Sequence, residues 1–115
     1  MNKEIKTKWV AALRSGKYKQ TQGALRRPKP SSSCDRPEGY CCLGVLCKVV
    51  APNKRWGKGL TAYSFYKASA VLPKFILDSL NLTSKEEDCY YKLPSMNDSG
   101  GRSFAEIADF VEANL

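Results

Sequence analysis

Residues Gly39 to Val50 read GYCCLGVLCKVV, and no other stretch restricts the fold as much. From Leu43 to Val50 only Lys48 is polar, so no helical or extended register leaves a solvent-facing side. The rest of the chain has to enclose this segment. Extended Gly39-Tyr40-Cys41-Cys42 leads into it, and Ala51-Pro52-Asn53 ends it, because the residue before a proline resists the helical basin. The pattern predicts a short strand running into a buried helix.

Three chemistries compete for the cysteines of this block. A zinc site needs four ligands, usually in paired C-x2-4-C knuckles or with histidines. The chain has no histidine, Cys41 and Cys42 are adjacent and diverge, and no second CxxC lies near Cys89. A nucleophilic thiol needs a base or a positive field, and without histidine the usual proton shuttle is missing. Packing needs nothing more, since free cysteine behaves as a small buried hydrophobe. The favoured reading is core, with no catalytic residue, no metal and no cofactor expected. A cysteine-dependent enzyme is the least favoured functional class. Five cysteines, an odd number, and a first segment Met1-Asn2-Lys3-Glu4-Ile5-Lys6 with no apolar run point to a reducing cytoplasm.

With 115 residues the chain reads as one domain, 1–115, large enough to bury a core without staples. Asn2 is placed to cap a helix whose face carries Ile5, Trp9, Ala12 and Leu13, ended by Gly16. Lys17 to Arg27 suits a short polar edge strand, and residues 28–37, rich in Pro, Ser and Lys, an exposed loop that leaves Cys34 accessible. Pairing of residues 18–26 with the Gly39 strand would give a small antiparallel hairpin. In Thr61 to Ala70, Tyr63, Phe65 and Tyr66 fall at alternating and then helical spacing, which leaves the element type open. Leu72-Pro73 followed by Phe75, Ile76, Leu77 and Leu80 predicts a helix ending near Asn81. Lys85 to Cys89 reads as an exposed acidic turn, and Tyr90 to Leu93 as a short strand or extended link. Ser103-Phe104-Ala105-Glu106 is a capping box opening a helix that runs to the end of the chain. The fold class is α+β, a small mainly helical domain with a short antiparallel hairpin or small sheet.

Charge is divided unevenly. Residues 1–58 hold 14 Lys and Arg against Glu4, Asp35 and Glu38, while the remainder holds 5 bases against 8 acids, within a formal net charge of +8. Such a field favours an anionic partner over a neutral or basic one. In Lys54-Arg55-Trp56-Gly57-Lys58, cations interleave with glycine and tryptophan, as in a loop that holds a phosphate while stacking a base. The alternative is a solvated turn whose Trp56 tucks back onto the core. Met96 to Arg102 forms a glycine-containing turn that carries Arg102 to the positive end of the last helix, where anions bind, although Glu106 competes for the same amides. Together with Arg26, Arg27 and Tyr63, the candidate ligand-binding set is Arg26, Arg27, Lys54, Arg55, Trp56, Lys58, Tyr63 and Arg102.

Trp9 with Ala12-Leu13-Arg14-Ser15-Gly16-Lys17-Tyr18, then Cys41-Cys42-Leu43-Gly44-Val45-Leu46-Cys47, then Asn97-Asp98 with Gly100 and Ser103-Phe104-Ala105-Glu106-Ile107-Ala108-Asp109, resemble a family of small proteins encoded by tailed phages and prophages, mostly without assigned function. The resemblance covers most of the chain. It implies a non-structural protein acting in the cytoplasm of an infected bacterium, where small phage products bind host machinery or capture immune nucleotides. The expectation is an anti-defence binding protein, a sponge for an anionic nucleotide-type signal that works without catalysis and is compatible with a homo-oligomer. The alternatives are a regulator that binds nucleic acid and one that binds a host protein. No membrane partner is expected.

Overall fold

A computed structural model describes residues 1–115. The elements follow in the order α1 (Lys3–Arg14), β1 (Arg26–Arg27), β2 (Gly39–Tyr40), α2 (Cys42–Val50), α3 (Lys74–Ser79), α4 (Ser84–Tyr90), α5 (Leu93–Asn97) and α6 (Phe104–Asn114). β1 and β2 pair antiparallel, Arg26 opposite Tyr40 and Arg27 opposite Gly39. This is an α+β fold, mainly helical, with one small sheet. No helix is long and apolar enough to cross a membrane.

The apolar block sits where its composition demands. Cys42, Val45, Leu46 and Cys47 are fully buried, and α2 packs between α1 and α5 while α6 closes over α1 and α5. Trp9 of α1 is also fully buried, and its indole N–H donates to the Cys42 carbonyl at 3.0 Å. That bond satisfies the one polar atom of a side chain worth about 3–5 kcal/mol against alanine. Gly44 lets α2 lie directly on the segment that leads into β1, since a Cβ there would overlap the Leu25 carbonyl. The same carbonyl accepts from Cys41 N–H at 3.1 Å. Cys41 caps α2, its sulfur accepting from Gly44 N–H at 3.4 Å.

Asn2 caps α1 through Ile5 N–H, and Ser103 with Glu106 forms the capping box of α6. The strand expected over 17–27 is reduced to Arg26–Arg27, plus an isolated parallel bridge of Gln20 to Tyr40. Two expectations fail in the acidic segment. Lys85 to Cys89 is helix α4 rather than a turn, because Thr83 and Glu86 form a second capping box and Glu86 and Glu87 lie at the positive end of the helix dipole. Tyr90 to Leu93 is not extended: Tyr90 ends α4, fully packed at 4 % exposure, and Leu93 opens α5 with Pro94 in its first turn. Residues 57–68 form a narrow ribbon without regular strands, bridged at Gly57 to Ser64 and Phe65 to Ala68.

Candidate functional site

The cross-strand register decides where the basic half points. Arg26 and Tyr40 stand directly opposite, so their side chains share one face of the hairpin. Tyr63 joins the same face because its N–H donates to the Arg26 carbonyl at 2.9 Å. The Arg26 guanidinium carbon lies 4.4 Å from the Tyr63 ring centroid, 5.0 Å from that of Tyr40 and 5.6 Å from that of Trp56. Three aromatic rings therefore hold the guanidinium, and it forms no ion pair within the protein. Its five N–H donors keep their capacity for a ligand.

Around it opens a cleft of about 320 Å³ whose cations are Lys17, Lys19, Arg26 and Arg27, with Glu38 as its one carboxylate. Glu38 approaches Lys19 only at 3.8 Å. Arg27 forms the rigid wall: it donates to the Gln22 carbonyl at 2.9 Å and the Thr61 carbonyl at 2.8 Å, and touches Cys34 sulfur at 3.5 Å. Burial raises the Tyr40 phenol, and the neighbouring Arg26 only partly offsets this, so the hydroxyl is protonated at neutral pH and can donate. Rigid rings, one free guanidinium and flanking lysines suit a phosphate attached to a planar group.

The remaining expected residues divide. Lys54 and Arg55 line a different cleft, with Gly57, Ser64, Tyr66 and Lys67. Lys58 is exposed and lines neither. Trp56 corrects the expectation of a presented stacking ring: it is 8 % exposed and packs on Phe65 at 4.8 Å and Tyr40 at 5.9 Å. It backs Arg26 instead of offering a face to a base, since hydrophobic packing prevails for so large a side chain beside the core. Arg102 pairs with Glu106 at 3.2 Å, and the helix end it was expected to serve is closed by that same glutamate. Sequence reasoning missed Lys17, Lys19 and Tyr40. The hairpin register would have found Tyr40, once Arg26 was set opposite it.

It also missed Asn97, the most connected polar group of the interior. Asn97 is 1 % exposed; its Oδ1 accepts from Gln20 Nε2 at 2.9 Å and Cys42 N–H at 3.2 Å. Its Nδ2 donates to the Thr21 carbonyl at 2.8 Å and to Asp98 Oδ1 at 2.9 Å, and Asp98 Oδ1 also accepts from Gly23 N–H at 3.0 Å. The Asn97-Asp98 pair thus ties the approach to β1 to the start of α2. The thiols beside it are core: burial pushes Cys41 up to about 11 and Cys47 up to about 12, and Cys42 upward as well. All are protonated at neutral pH, the opposite of what a nucleophile needs. No three Cys, Asp or Glu side chains converge as a metal site.

No curated protein and no solved structure matches the chain. One family model matches residues 1–115, the whole of the sequence, and by that match the chain belongs to the family described as a domain of unknown function, DUF8296.

Proposed function

We propose that the protein is a non-catalytic binder of a nucleotide-type anion, held in the Arg26 cleft. The observation that carries this is the caged guanidinium: Arg26 sits among Tyr40, Tyr63 and Trp56 with no carboxylate paired to it and three further cations around the same opening. A guanidinium held by rings and not by an acid keeps both its orientation and its charge for a phosphate. The neighbouring tyrosines supply the apolar contact that a base or ribose requires. Protonated, buried thiols and the lack of histidine favour capture over turnover. In the setting that the resemblance to phage proteins implies, the ligand would be an immune nucleotide in the host cytoplasm and the action stoichiometric sequestration.

The test is calorimetry with a panel of linear and cyclic nucleotides, followed by denaturation and chromatography of the recovered ligand. The expected result is binding at one equivalent, intact recovery, and loss of at least tenfold in affinity for Arg26→Ala, with a native circular dichroism spectrum and a melting temperature lowered by the lost ring contacts. Unaltered binding by Arg26→Ala would refute the site, and a converted ligand would refute the non-catalytic reading.

A further inference from the structure

We infer that the site extends beyond one nucleotide: the cleft of Lys54, Arg55, Gly57, Ser64, Tyr66 and Lys67 is a second phosphate-binding site, and a single-stranded oligonucleotide anchored in the Arg26 cleft reaches it. This rests on the nucleotide reading of the Arg26 cleft and extends it. The second cleft, of about 410 Å³, contains three cations and no carboxylate, and none of the three forms an ion pair within the protein.

Its construction costs the fold something. Tyr66 and Lys67 occupy a two-residue hairpin turn between Phe65 and Ala68 with φ of 50° and 67°, where asparagine and glycine are normally found. Residues with a Cβ are strained there. The turn sets the Tyr66 ring 4.3 Å from Lys54 Nζ and places Lys67 on the same opening. An Asn-Gly turn would close the ribbon without strain but would leave neither ring nor charge.

The two clefts are neighbours. Tyr63 lines the first and Ser64 the second, and between Tyr40 and Tyr66, which reach the surface, the buried rings of Trp56 and Phe65 form a supporting row in steps of 5.9, 4.8 and 4.8 Å. A strand joining the clefts crosses the ribbon 57–68, whose exposed surface includes Lys58 and Leu60. Both openings are shallow and lined mainly by polar residues. A pocket for one small ligand encloses most of its surface, whereas a groove that grips phosphates between interspersed rings follows a backbone.

The test uses 5′-phosphorylated oligothymidylates from the mononucleotide to about eight nucleotides, with the wild type and the double variant Lys54→Ala/Lys67→Ala. Both lysines are exposed, so the fold and its melting temperature should be preserved. The expected result is an affinity that rises at least tenfold with length, a gain erased in the double variant while mononucleotide binding persists. The slope of log affinity against log salt should become shallower by about 1.4, at roughly 0.7 for each phosphate that the variant no longer neutralises. Mononucleotide binding with no gain in length, or a gain that survives the double variant, would overturn the bridge and leave the Arg26 site standing. If neither mononucleotide nor strand binds, both readings fall.

Discussion

Replacing Asn97 by alanine removes four hydrogen bonds at a position 1 % exposed, and the cost follows from which partners stay buried. Gln20 is half-buried and keeps its second bond, to the Arg102 carbonyl at 2.8 Å. Asp98 is exposed and keeps Gly23 N–H. The Cys42 N–H and the Thr21 carbonyl are enclosed and lose the side-chain partner that Asn97 supplies. At about 1–3 kcal/mol for each buried group left unpaired, the loss is roughly 2–6 kcal/mol, a large share of the 5–15 kcal/mol typical of a small domain. Urea unfolding followed by tryptophan fluorescence measures it directly, because Trp9 bonds the adjacent Cys42 carbonyl. The melting temperature should fall by roughly 4 °C per kcal/mol. Asn97→Asp keeps both acceptances, but its ionised carboxylate loses both Nδ2 donations and faces Asp98 Oδ1, so at neutral pH it should be destabilised and should recover part of the loss at low pH, where its O–H can donate again. A loss below about 1 kcal/mol for Asn97→Ala would mean the interior admits water there, and the unpaired-group argument would fail.

Two further expectations concern the same interior. Thr21 is fully buried, and its hydroxyl has no hydrogen-bond partner, so Thr21→Val should raise stability by about 1 kcal/mol; a destabilised variant in the same denaturation assay would reveal a water bound to the hydroxyl. Cys41, pushed up to about 11, and Cys47, pushed up to about 12, keep their protons in the fold above the range where an unfolded thiol releases them. The unfolded chain then binds fewer protons, so stability should hold at neutral pH and decline as pH rises from about 9, by up to about 1.4 kcal/mol per pH unit per thiol. Unfolding curves across alkaline pH check this, and flat stability to about pH 11 would contradict it. Native alkylation should label half-buried Cys34 and Cys89 ahead of Cys41, Cys42 and Cys47.

Elements whose signals are local can be read from the residues alone. A run from Leu43 to Val50 with Lys48 as its one polar side chain admits only enclosure, Asn2 and Ser103 carry their own capping chemistry, and Gly16 and Pro52 stop helices wherever the chain goes. Helix α4 was equally local, since Thr83 and Glu86 stand three apart, but the run of acids around them resembled a solvated turn. The site, in contrast, follows from long-range packing. Arg26 became its centre because strand register, a pairing between residues distant in sequence, placed Tyr40 opposite and Tyr63 alongside. The same packing took Trp56 inward, separated Lys54 and Arg55 from Arg26, and set Arg102 against Glu106. Charge composition specifies that cations are present and nearby residues specify helix ends, but which cations share an opening depends on the chain crossings that bury the core.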